Sequence, residues 1–205
     1  EEAHEALFLR TLRGIEEPLP RWRRVLASTE AMLGPALGRR YVDRHVPDAT
    51  REAATQLVQS VVAALRAQIE AAHWLGSEAK LAANAKLDAL HIDIAGAGSL
   101  PDYTGLALAR DDHAGNVLRL TAWRHRRQLA SLSSTEAPAA LAPPAHAVNV
   151  WYDPTRNELV LPAGFLQPPV FDPGADAALN YGALGALAAQ ALMHGYDTLG
   201  STFDA

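Results

Sequence analysis

The sequence predicts a mainly α-helical fold with a small β-hairpin or sheet, and three observations lead there. Alanine carries much of the 49% hydrophobic content while aromatic residues make up only 6%, a balance that favours packed helices over sheets. Apolar residues recur at helical spacing through most of residues 1–132, as in Leu57, Val61, Leu65 and Ile69, which fall four apart on one face. The pattern turns β-prone only further along, in Ala147-Val148-Asn149-Val150-Trp151-Tyr152 and Glu158-Leu159-Val160-Leu161.

A first helix runs from Glu2 to about Leu12, and Pro18 and Pro20 interrupt the pattern before a second that carries Trp22, Leu26 and Leu33. Gly34-Pro35 predicts a break. Asp48, after Pro47, fits the N-cap of a long third helix bearing the stripe just named. Gly76 suits its C-terminal stop, and Ser77 suits the cap of a fourth helix reaching about Leu90. A loop through Gly96, Gly98 and Pro101 precedes a helix over Asp112 to Leu132. Residues 133–145, rich in Ser, Ala and Pro, read as an exposed linker. Beyond it the two β-prone runs form a hairpin through Asp153-Pro154-Thr155-Arg156-Asn157. A turn-rich stretch with Gln167-Pro168-Pro169 and Asp172-Pro173-Gly174 then leads into a last helix from about Ala175 to His194.

Charge narrows the function classes. A net charge of −5, from 18 Lys and Arg against 23 Asp and Glu, argues against nucleic acid or an anionic membrane as a partner. Arg119, Arg124, His125, Arg126 and Arg127 read as a solvated helix face, as do Arg21, Arg23 and Arg24. With no cysteine, a metal would have to be held by His, Asp or Glu. No apolar run approaches the roughly 20 residues of a membrane span. The acidic start Glu1-Glu2-Ala3-His4-Glu5 is unlike a signal peptide.

Several ordered blocks together resemble the neprilysin-type zinc metallopeptidases. They are Val148-Asn149-Val150-Trp151-Tyr152 with Asn157-Glu158, Pro162-Ala163-Gly164-Phe165-Leu166-Gln167-Pro168-Pro169, Phe171-Asp172-Pro173, Asn180-Tyr181-Gly182-Ala183 and His194-Gly195-Tyr196-Asp197. Upstream, Pro20-Arg21-Trp22, Leu37-Gly38-Arg39-Arg40-Tyr41-Val42, Trp74-Leu75-Gly76-Ser77-Glu78-Ala79-Lys80, Lys86-Leu87-Asp88, Asp102-Tyr103-Thr104-Gly105-Leu106 and Gly115-Asn116-Val117-Leu118-Arg119 follow in the same order. The resemblance covers nearly the whole chain. It implies part of a helical lobe over residues 1–132, then a partial thermolysin-like (zincin) domain over 146–205, with a zinc helix beneath an edge strand that holds extended peptide.

The zinc helix of that family carries His-Glu-x-x-His, because residues four apart share a helix face and bring both imidazoles to one metal. This sequence reads Gln190-Ala191-Leu192-Met193-His194. An amide therefore stands for the first ligand, the methyl of Ala191 stands for the general-base carboxylate, and His194 is the single candidate metal ligand. The resemblance places Asn149 and Val150 at the substrate-gripping strand, with Val150 larger than the usual residue. It also places Asp197 where a carboxylate would orient a ligand, with capping as the alternative. His4, His45, His73, His91, His113, His125 and His146 show no ligand spacing, and Ser131, Ser133 and Ser134 sit in no nucleophile motif.

Zinc generally needs three protein ligands and a water, so no cofactor is expected for the isolated chain, and zinc only in a composite site. The family's second ligand helix and transition-state His are expected beyond Ala205. The expected function is accordingly a catalytically degenerate, non-catalytic subunit or peptide-binding scaffold. Its expected partner is a second chain, either another copy or a peptidase-like subunit, with an extended peptide as possible ligand. The competing expectation is part of an active zinc endopeptidase whose missing ligands come from elsewhere. A purely structural helical module explains the composition but not the ordered blocks. The resemblance favours a periplasmic or extracellular location.

Overall fold

The computed structural model describes residues 2–17, 19–96, 100–133 and 143–203, with side chains from residue 7 onward. Pro18, Gly98, Ser134 and most of the expected linker at 133–145 lie outside the described residues. The order is α1 (Glu2–Arg13), α2 (Arg21–His45), α3 (Asp48–Ala71), α4 (Ser77–Asp88), β1 (His91–Ile94), α5 (His113–Ser131), β2 (Trp151–Asp153) and β3 (Glu158–Leu161). A short 3-10 turn at Ala163–Phe165 leads to α6 (Ala177–Asn180) and, after an intervening π turn, to α7 (Ala186–Met193).

The expected break at Gly34-Pro35 is a kink instead. Leu33 leaves helical geometry (φ −127°, ψ 24°) and α2 resumes through Pro35, a residue that starts a helical segment well because its missing N–H would have no partner there. The kink brings α2 against the 143–145 segment: a β-carbon on Gly38 would lie 2.9 Å from the Ala145 nitrogen, so only glycine fits.

Two expected caps move by one residue. Pro47 and Gly76 occupy the N-cap positions of α3 and α4, and neither helix has a side-chain cap. Asp48 and Ser77 are the first helical residues, and Asp48 there favours the positive helix end through its charge. The third helix also ends at Ala71 rather than at Gly76. Asp112 does cap α5, its carboxylate accepting from the Gly115 amide at 2.8 Å.

The sheet holds one strand, β1, where the sequence predicts a loop. Its order is β1-β3-β2, with β1 parallel to β3 (Ile92 opposite Leu159, Ile94 opposite Leu161) and β2 antiparallel to it (Trp151 opposite Val160, Asp153 opposite Glu158). The central strand β3 is covered on both faces, with Leu159, Val160 and Leu161 at most 2% exposed, which explains its unbroken apolar run. The hairpin begins at Trp151, not Ala147: Ala147 donates its N–H to the Pro144 carbonyl at 2.8 Å in a turn, and Gly164 donates to Ala145 at 3.1 Å.

One core gathers Val42 of α2 and Val46 just after it, Leu57 and Val58 of α3, Ile94 of β1, Leu159 and Leu161 of β3, and Leu184, Ala188 and Ala191 of the last helical run. A smaller one joins Ile69, Leu87 and Leu192, with Val62, Leu65 and Tyr196 packed on it. The stripe of α3 serves both. The last helical run begins where Asp176 accepts from the Ala178 amide at 2.7 Å, and Tyr181–Gly185 wind as a π turn before α7. Asn180 locks the preceding turn-rich stretch, accepting from the Asp172 amide at 3.1 Å and donating to its carbonyl at 2.7 Å.

Candidate functional site

The strand β2 is an edge, since among the described residues it pairs with β3 alone. Alongside it a recess of about 390 Å³ is lined by Asn149, Val150, Trp151 and Tyr152 from above and by Leu187, Gln190, Ala191 and His194 of the last helix from below, with Phe165 at one side. Helix geometry sets the lower wall, because residues 187, 190, 191 and 194 are three or four apart and share a face. Asn149, Val150, Gln190, Ala191 and His194, all expected from the sequence at one site, thus line one recess. Asp197 stands just behind it.

His194 ends α7 with its ring exposed, and its Nδ1 lies 2.9 Å from Asp197 Oδ2. The other carboxylate oxygen, Oδ1, accepts from the Leu199 and Gly200 amides, each at 2.9 Å. Asp197 therefore serves as a turn cap and a histidine partner at once. The Gly200 amide, followed by the His194 ring, holds its carboxyl below the usual carboxylate range. A carboxylate on Nδ1 favours the tautomer that leaves Nε2 unprotonated.

Tyr152, Trp151, Phe165 and Leu187 were not singled out from the sequence as site residues. Tyr152 faces inward, is 8% exposed and donates its hydroxyl to Asn157 Oδ1 at 2.9 Å. Asn157 in turn donates Nδ2 to the Lys86 carbonyl at 2.7 Å. Burial pushes the Tyr152 hydroxyl up and that of Tyr196 to about 12, so both are protonated donors at neutral pH. The alternation from Asn149 to Tyr152 was the available signal: in an edge strand, every second side chain turns to the core.

The donor set does not fit zinc by itself. Among the described residues no group of three or more His, Cys, Asp or Glu is placed to hold a metal. Around His194 the recess adds only neutral groups, among them the amides of Gln190 and Asn149, and the Asp197 carboxylate is engaged by two amides and the ring. Ala191 has no group that could take a proton. Among the described residues the other histidines do not assemble into a second site; His146 pairs with Glu30 at 3.2 Å, and Tyr41 packs on His45 and His146.

The chain is thus mainly helical with a short three-stranded sheet, whose edge strand lies over a helix ending in a histidine. Sequence models of peptidase family M13 match residues 1–96, with the family's N-terminal model, and residues 149–205, with its peptidase model. The chain belongs to peptidase family M13, the neprilysin-type metallopeptidases.

Human endothelin-converting enzyme 1 is 28% identical over 96% of this chain and 27% of its own length. Neprilysin-1 of Caenorhabditis elegans is 30% identical over 93% of this chain and 26% of its own length. Among solved structures, the open state of a Mycobacterium tuberculosis zinc metalloprotease superposes with a TM-score of 0.87 at 36% identity, covering 99% of this chain and 32% of that one. PepO from Lactobacillus rhamnosis superposes at 0.88 with 26% identity, over 95% of this chain and 31% of its own. The chain thus spans about a quarter of the length of these curated relatives.

Proposed function

We propose that this chain is a non-catalytic M13 protein, a subunit or scaffold that holds an extended peptide along β2. The observation that carries the reading is a contrast within one recess: the free strand edge is formed, while the helix turn beneath it offers Gln190 and Ala191. A strand edge binds peptide through main-chain hydrogen bonds without any metal. Hydrolysis needs more. General acid–base help is worth roughly 10² to 10⁴ in rate, and a metal-activated water is required besides; an amide and a methyl supply neither.

A second chain completes this reading. Leu179, Tyr181 and Met193 on the last helical run are 67%, 45% and 47% exposed, an apolar surface that another copy or a peptidase-like subunit would cover. Light scattering on the purified protein reads the assembly directly. Family membership supports the further proposal that the protein works outside the cytoplasm, in the periplasm or extracellular space. Among the described residues no helix is long and apolar enough to cross a membrane.

The His194–Asp197 pair favours a second reading, in which the chain forms one wall of an active zinc endopeptidase and the missing ligands come from a partner chain or from further sequence. One set of measurements separates the two. Fluorescein-labelled peptides are titrated by anisotropy, the mixture is analysed for cleavage by mass spectrometry, and zinc is quantified. Binding without cleavage supports the scaffold. Cleavage with stoichiometric zinc that disappears in His194→Ala, measured with the partner chain or the further sequence present, establishes the enzyme; its absence there removes that reading, and absence of binding removes the scaffold.

A further inference from the structure

We infer that Lys86 of α4 is a positioning residue for His194, acting through the turn that follows it; the inference rests on His194 being a recess group that faces bound peptide. Lys86 is 5% exposed, and burying an ammonium is costly unless its donors are matched. Its Nζ donates to the Gly200 carbonyl at 2.7 Å and to the Phe203 carbonyl at 3.0 Å. The same ammonium lies 5.9 Å from the Tyr196 ring centroid.

These contacts continue to the histidine without a gap. Gly200, gripped through its carbonyl, donates its N–H to Asp197 Oδ1 at 2.9 Å, and Asp197 Oδ2 meets His194 Nδ1 at 2.9 Å. The turn also packs directly on the histidine's own peptide, since a β-carbon on Gly200 would overlap the His194 carbonyl oxygen. A charged hydrogen bond from α4 therefore fixes the turn, the turn fixes the carboxylate, and the carboxylate fixes the imidazole and its tautomer. Without Lys86 the Gly200–Phe203 end of the turn would lose its charged anchor, leaving its local bonds and the Tyr196 hydroxyl on the Ala83 carbonyl at 3.2 Å, and an exposed imidazole beside a loosened carboxylate would sample both tautomers.

The test needs neither peptide nor metal, so its outcome is independent of the anisotropy measurement that tests peptide binding. Long-range ¹H–¹⁵N spectra of the His194 ring at mildly alkaline pH report the tautomer, and hydrogen exchange reports the Leu199 and Gly200 amides. The wild type should show the Nδ1-protonated form. Folded Lys86→Met should show mixed tautomers and about tenfold faster exchange at both amides, and Lys86→Arg, which keeps donors for both carbonyls, should restore the wild-type ring spectrum. A folded Lys86→Met protein with an unchanged ring spectrum overturns the assignment. Should Lys86→Met fail to fold, couplings across the hydrogen bonds from Lys86 Nζ to the Gly200 and Phe203 carbonyl carbons decide in the wild type: present they support it, absent they overturn it.

Discussion

Tyr152 stands so close over Gly195 that a β-carbon on residue 195 would lie 2.6 Å from the tyrosine hydroxyl oxygen. This is where the hairpin meets the end of α7, and it sets the spacing between strand edge and histidine. In Gly195→Ala the ring must shift and its 2.9 Å bond to Asn157 weakens. The expected loss is about 1–3 kcal/mol in urea unfolding, from overpacking and an unmatched buried acceptor. The coupling is the sharper check: in a Tyr152→Phe background the same substitution should cost clearly less. Strict additivity would show that the two residues do not share one constraint.

Asn157 combines two demands that few residues meet. Its φ of 47° lies in the left-handed region, which asparagine tolerates better than most, and its amide bridges the Tyr152 hydroxyl and the Lys86 carbonyl. Asn157→Ala should cost about 2–4 kcal/mol, the sum of backbone strain and a lost buried bridge. Asn157→Gly relieves only the strain, so it should recover part of the loss. Equal unfolding midpoints for the alanine and glycine variants would show that conformation contributes nothing.

The helices and the hairpin were legible because their signals are local. Leu57, Val61, Leu65 and Ile69 announce α3, and Asn157 after Pro154 announces the turn. The strand β1 was not, since His91-Ile92-Asp93-Ile94 is four residues long and gains its partner β3 from far along the chain; parallel pairing leaves no short-range trace. Motif order and helix spacing grouped Asn149, Val150, Gln190, Ala191, His194 and Asp197; the first five line one recess and Asp197 contacts the His194 ring. Lys86 was not legible, because 114 residues separate it from the carbonyl it grips. The kink at Leu33 was half legible: Gly34-Pro35 signals a disruption, but the helix resumes through Pro35 and packs Gly38 on Ala145, a contact from far along the chain.

The cap of α5 gives a pH signature with a definite sign. The Gly115 amide, and after it Arg119, hold the Asp112 carboxyl below the usual carboxylate range. A carboxyl whose folded pKa is depressed adds stability above its unfolded value of about 3.9. That contribution begins to fade as pH drops below about 5 and vanishes once pH passes the folded value. Protection factors of the α5 amides, the intrinsic exchange rate at each pH divided by the observed one, should therefore fall on acidification more in the wild type than in Asp112→Asn, which caps without titrating. Identical pH slopes would mean that the carboxylate charge plays no part.

The last prediction turns on what one imidazole can gain from a second. Gln190 and His194 are four apart on the same helix face and both line the recess, so Gln190→His presents two nitrogens to a common point. Asp197 already holds the His194 ring by Nδ1 at 2.9 Å, leaving the lone pair of Nε2 for a metal, and an oriented ligand loses less freedom on binding. The variant should bind Zn²⁺ at least about tenfold more tightly than the wild type in competition with a chromophoric chelator, and His194→Ala should cancel the gain. Adding Ala191→Glu supplies the carboxylate beside it. Hydrolysis of a labelled peptide by this double variant but not by the single one would show that the recess itself is competent and that residue 191 sets the limit. If Gln190→His leaves zinc affinity unchanged, the two side chains do not converge, and the helix face does not form half of a metal site.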